Sequence, residues 1–123
     1  MTLEGALIAE SLRVGAKLDD LALTVTTISR AELGDVSAGQ PRTWTFIEFE
    51  APEAAADRLM RALEGALSRV GGWYCDFRNE TETFVVFADQ SFRYPRGDRD
   101  GRAAAMAHGR SVGVPESQLD WPV

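Results

Sequence analysis

From residue 73 onward, apolar and polar side chains mostly alternate. In Trp73-Tyr74-Cys75-Asp76-Phe77-Arg78 the apolar Trp73, Cys75 and Phe77 interleave with Tyr74, Asp76 and Arg78. A period of two is the signature of a strand, because successive side chains project to opposite faces. Asn79-Glu80-Thr81 then reads as a turn, 83–88 (TFVVFA) as a strand, Asp89-Gln90 as a tight turn, and 91–95 (SFRYP) as a last strand closed by Pro95. Upstream, 21–30 (LALTVTTISR) and 43–50 (TWTFIEFE) are rich in β-branched and aromatic types and predict two more strands, separated by a Gly-, Asp- and Pro-bearing loop.

Elsewhere the period is helical. Ala56, Leu59, Met60, Leu63, Leu67 and Val70 form an i, i+3, i+4 stripe. Pro52 suits its first position, and Gly71-Gly72 its stop. Leu3, Leu7, Ile8 and Leu12 predict a short N-terminal helix ended by Gly15. Asp98 or Asp100 can cap a last helix running to about Val112, with Gly113 as its stop. Its small-residue face would be Ala103, Ala104, Met106 and Ala107. Leu119 and Trp121 should draw the tail back onto the body. The expected order is α-β-β-α-β-β-β-α, a single α+β domain over 1–123. Its antiparallel sheet has about five strands, with helices packed mainly on one face.

The faces are informative. Cys75 should lie between Trp73 and Phe77 on the helix side. The second face would carry Trp44, Phe46, Tyr74, Val85 and Phe87, interrupted by Glu48, Asp76 and Arg93. A solvated face alternates with polar residues more cleanly than this. Something should cover it: the N-terminal helix, the tail, a second subunit or a ligand.

Composition narrows the partners. The chain has 123 residues and a net charge of −6, with twelve arginines and one lysine scattered among 19 acids. Nucleic-acid binders need a basic stripe for phosphate contacts, so neither DNA nor RNA is expected. No run approaches the roughly 20 apolar residues of a membrane span, and no basic leader opens the chain. One cysteine forms no internal disulfide. The expectation is a soluble cytoplasmic protein without cofactor or metal.

Chemistry-bearing motifs are weak. Cys75 has no base beside it in sequence, and His108 has Ala104 and Val112 one turn away, so neither a nucleophile nor a metal set is built. Gly109-Arg110-Ser111-Val112-Gly113 matches G-x-S-x-G but falls at a helix end, not between strand and helix. Arg96-Gly97-Asp98 and Asn79-Glu80-Thr81 read as turns. Glu48, Glu50 and Asp76 can share one face beside aromatics, where burial raises a carboxylate's pKa and suits it to acid–base work.

The segments GGWYCDF, ETFVVF, FRYPRGD and QLDWP, spread over the C-terminal half, resemble those of a group of small bacterial proteins for which no function is known. The resemblance implies a stand-alone bacterial domain and carries no site residue over. The leading expectation is a binding protein that recognises a small molecule or protein through Trp44, Phe46, Glu48, Tyr74, Asp76, Phe87 and Arg93. A homodimer through the same face is compatible with this. The alternatives are a carboxylate-using hydrolase or isomerase, and an inhibitor or immunity-type protein with a basic partner.

Overall fold

The computed structural model describes residues 2–122. Its strands are β1 (Thr2–Ile8), β2 (Thr24–Glu32), β3 (Thr43–Pro52), β4 (Cys75–Arg78), β5 (Glu82–Phe87) and β6 (Gln90–Pro95), and its helices α1 (Ala56–Ala66) and α2 (Arg99–Ser111). All lie in or against one six-stranded sheet of order β2-β3-β1-β4-β5-β6, every neighbouring pair antiparallel. The α+β class with a single antiparallel sheet is as expected.

The expected N-terminal helix is instead β1, a central strand. Leu3 and Leu7 are four positions apart, which satisfies a helix and equally one face of a strand, so the stripe was ambiguous. Gly5 settles it locally. A Cβ there would meet the Phe77 Cβ at 2.6 Å and the Asp76 carbonyl oxygen at 2.7 Å. Glycine lets β1 slot between β3 and β4, opposite Phe49 on one side and Phe77 on the other.

β3, α1 and β4 form a crossover in which β1 is inserted between the two strands. Leu59, Leu63 and Leu67 of the α1 stripe are buried as expected. The helix ends at Ala66, short of Gly71, because the backbone there is taken by the segment after β1. The Arg13 amide donates to the Ala66 carbonyl, and the Ser68 amide to the Ser11 carbonyl. Val70, the last residue of the stripe, is left 71% exposed.

The sheet is covered on both faces, by one helix each, not mainly on one. On the first face Leu3, Leu7, Phe49, Cys75, Phe77, Phe84 and Val86 pack with Leu59 and Leu63 of α1. Phe77 and Phe84 stack at 4.7 Å. On the second face Val85, Phe87 and Tyr94 pack with Ala105 of α2 and with Val114, Leu119 and Trp121. Each such buried aromatic or aliphatic side chain contributes about 1.5–3 kcal/mol relative to exposure.

Asp98 caps α2, its Oδ1 accepting from the amides of Asp100 and Gly101 at 3.1 Å. The packed face of α2 is Gly101, Ala105 and Gly109, four apart. A Cβ at Gly101 would sit 2.5 Å from the Tyr94 Cβ. Of the expected small-residue face, Ala103, Ala104 and Ala107 are exposed and Met106 is half-buried. The tail does fold back, burying Leu119 and Trp121.

Candidate functional site

Cover on the second face is uneven. α2 and the tail seal it over β5, β6 and Tyr74, and stop short of Asp76 and Arg78 on β4. Beyond their edge the registers lay out rungs of side chains. Glu48, Ala6 and Asp76 form one rung, Glu50, Glu4 and Arg78 the next, and Ile8 faces Phe46 on the other side. Ala6 is shorter than every neighbour, so the sheet has a trough along β1.

The upper part of the trough is a cavity of about 170 Å³ lined by Ala6, Ile8, Phe46, Gly72, Trp73, Tyr74, Asp76, Gln118 and Asp120. A second depression, again about 170 Å³, shares Ala6 and Asp76 and carries Glu4, Glu50 and Arg78. Ala6 and Asp76 therefore join an aromatic end to an acidic end.

Tyr74 fixes the wall. Its hydroxyl donates to the Gln118 carbonyl and lies 3.2 Å from Asp120 Oδ1, and its ring meets Trp121 edge-on at 4.8 Å. Burial, with Asp76 and Asp120 adding negative charge, pushes the phenol well above its ordinary pKa. It is a staple between sheet and tail, not an acid. Asp76 is the chemically unusual group. Burial raises its pKa to about 6; Arg78 opposes the shift and Asp120 adds to it. The Arg78 guanidinium stands 4.0 Å away, a loose pair.

The sequence-selected residues divide. Phe46, Tyr74 and Asp76 meet in the cavity. Glu48 is exposed at its rim, across Ala6 from Asp76. Trp44 is buried behind it, donating its indole N–H to the Pro41 carbonyl at 2.8 Å and packing on Trp73 at 5.1 Å. Phe87 is 1% exposed, sealed on this face by His108 and Trp121. Arg93 is not on this face. Its rung partner is Phe84, over which it lies at 5.0 Å, and it pairs with Glu82 at 2.6 and 2.8 Å. The two-residue turn at Ala88-Asp89 pairs Phe87 with Gln90, so odd positions of β5 share a face with even positions of β6. Phe92 and Tyr94 take the place expected of Arg93.

Ala6, Ile8, Trp73, Gln118 and Asp120 were missed. The first two were assigned to a helix, and Trp73 to the opposite face. Trp73 precedes β4 and turns to pack on Trp44.

The remaining motifs are structural. Cys75 is buried, its thiol 3.4 Å from the Ala6 carbonyl and its pKa pushed up by burial. Asn79 is buried, bonding Glu53 and the amides of Thr81 and Glu82. Ser111 donates to the His108 carbonyl at 2.6 Å. Among the described residues no helix is long and apolar enough to cross a membrane, and no three His, Cys, Asp or Glu side chains converge to hold a metal. A further cavity of about 200 Å³ lies beside Phe87 and Val112, where Arg69 and Asp89 are ion-paired. In comparisons with protein-family models, with curated proteins and with solved structures, nothing matches this chain.

Proposed function

We propose that the protein is a binding domain whose ligand site is the trough over Ala6 on the second sheet face. The observation that carries this reading is the division of that face. The chain seals half of it with its own helix and tail, and leaves the rest as a concavity walled by aromatics with a half-buried carboxylate on its floor. Concave, mostly apolar sites with a few fixed polar groups are what small ligands bind.

The test is titration of isotopically labelled protein with a panel of organic cations, organic anions and neutral heterocycles. Saturable amide shifts should cluster on Ala6, Ile8, Phe46 and Asp76. Shifts confined to other surfaces across the whole panel would overturn the reading. A carboxylate enzyme is the second reading, favoured by one feature: burial pushes the Asp76 pKa up to about 6, close to working pH. The other acid of the cavity, Asp120, is engaged with Tyr74, so binding fits the geometry better than acid–base chemistry.

A further inference from the structure

We infer that the trough receives an organic cation of the alkylated-ammonium class, lodged against Phe46, Trp73 and Tyr74 with Asp76 and Asp120 as its counter-charges. The inference rests on the binding reading above and gives it a ligand chemistry.

Three observations converge on it. First, the cavity brings aromatic side chains and two carboxylates together, and its lining holds no lysine, arginine or histidine. Aromatic faces attract cations through their quadrupole, most strongly where water is excluded. Second, Asp76 is under-neutralised. Asp120 adds to the upward shift of the Asp76 pKa, and the only arginine beside Asp76 stands 4.0 Å off, in the adjoining depression. A cation between them would relieve that repulsion. Third, Ala6 and Ile8 give the floor an apolar stretch beside Asp76. That surface suits methyl or methylene groups around a nitrogen better than a strongly hydrated ion. A metal ion would want three or more converging ligands, and the described residues offer no such group. The cavity, at about 170 Å³, equals five or six waters at roughly 30 Å³ each. That matches a quaternary ammonium head rather than a whole cofactor.

The experiment titrates the full chain with tetramethylammonium, choline, guanidinium and choline's uncharged carbon isostere, dimethylbutanol. Ionic strength is matched with sodium chloride, and binding is read by calorimetry and by shifts of the Trp73 indole and Ala6 methyl. Choline and tetramethylammonium should saturate the site, with the isostere roughly ten-fold weaker. Phe46→Ala and Asp76→Asn should each weaken choline by about ten-fold, their folding checked by cooperative unfolding. Choline affinity should also fall as pH drops through about 6, where Asp76 takes its proton.

Equal binding of choline and its isostere would overturn the cation inference while leaving a plain apolar site standing. So would binding in the trough by neutral or anionic members of the wider panel alone. Choline binding left untouched by both variants would place its site elsewhere and also overturn it. Silence of the trough towards every compound would sink the inference and the binding reading together.

Discussion

Five of the six residues of β5 are buried, whereas all nine of β2 are exposed. Both strands belong to one sheet, so the difference comes from what lies above and below. β5 has α1 on one face and α2 with the tail on the other. β2 is an edge strand with Val25 and Ile28 at least half exposed, and a bulge at Thr26 disturbs its pairing. Such a bulge discourages edge-to-edge association. The sheet is thus a sealed half, whose residues hold the fold, joined through β1 to a half left open to solvent. Substitutions in the two halves should differ in kind.

The largest effect belongs to the sealed half. Trp121→Ala removes a side chain 2% exposed that closes the second core and should cost about 3–5 kcal/mol, read from the urea midpoint. A loss below about 1 kcal/mol would mean the tail is not integral. Next comes the seam. Gly5→Ala must push against the Phe77 Cβ and the Asp76 carbonyl, costing about 1–3 kcal/mol. Both variants should unfold in one cooperative step.

In the open half the sign reverses. The Asp76 pKa rises from 3.8 to about 6 on folding, so the folded state prefers the protonated acid. The stabilisation from that proton is complete below the unfolded value and is lost as pH rises through about 6. Asp76→Asn should therefore be more stable than the parent near neutral pH, by up to about 2 kcal/mol. The advantage should vanish below about pH 4, as thermal melts across that range would reveal. The smallest effect is Phe46→Ala, half-buried at the trough, at about 1 kcal/mol or less. A stability loss as large as that of Trp121→Ala would erase the distinction between the halves.

The sequence was most legible where neighbours in the chain are neighbours in space. The Asp98 cap, the Leu59-Leu63-Leu67 stripe and the β4–β5–β6 meander depend on local periodicity and short turns. The unbroken apolar run of β5 also announced that both its faces would be covered. Legibility failed where the deciding contact was distant. Leu3 and Leu7 fit two periods, and only pairing with β3 and β4 selects the strand. α1 stops early because Arg13 and Ser11 claim the backbone of Ala66 and Ser68. Arg93 falls on the other face because any two-residue turn pairs odd positions of β5 with even positions of β6, wherever along the hairpin it sits. Half of the candidate site was visible for the same reason. Phe46, Tyr74 and Asp76 follow from strand alternation, whereas Ala6 required β1 to be a strand, and Asp120 required the course of the tail.

Placing β1 at the centre of the sheet has a consequence during synthesis. Ala6 pairs with Glu48 and Asp76, 42 and 70 positions further along the chain. At roughly 5–20 residues per second, the ribosome delivers the second partner about four to fourteen seconds after β1 emerges. Hairpins close in microseconds, so β1 waits with both hydrogen-bonding edges open for about two to eight seconds until β3 emerges, and with one edge open for the rest of the interval. A strand that ends between two neighbours in the finished sheet is thus the one a nascent-chain chaperone would hold longest.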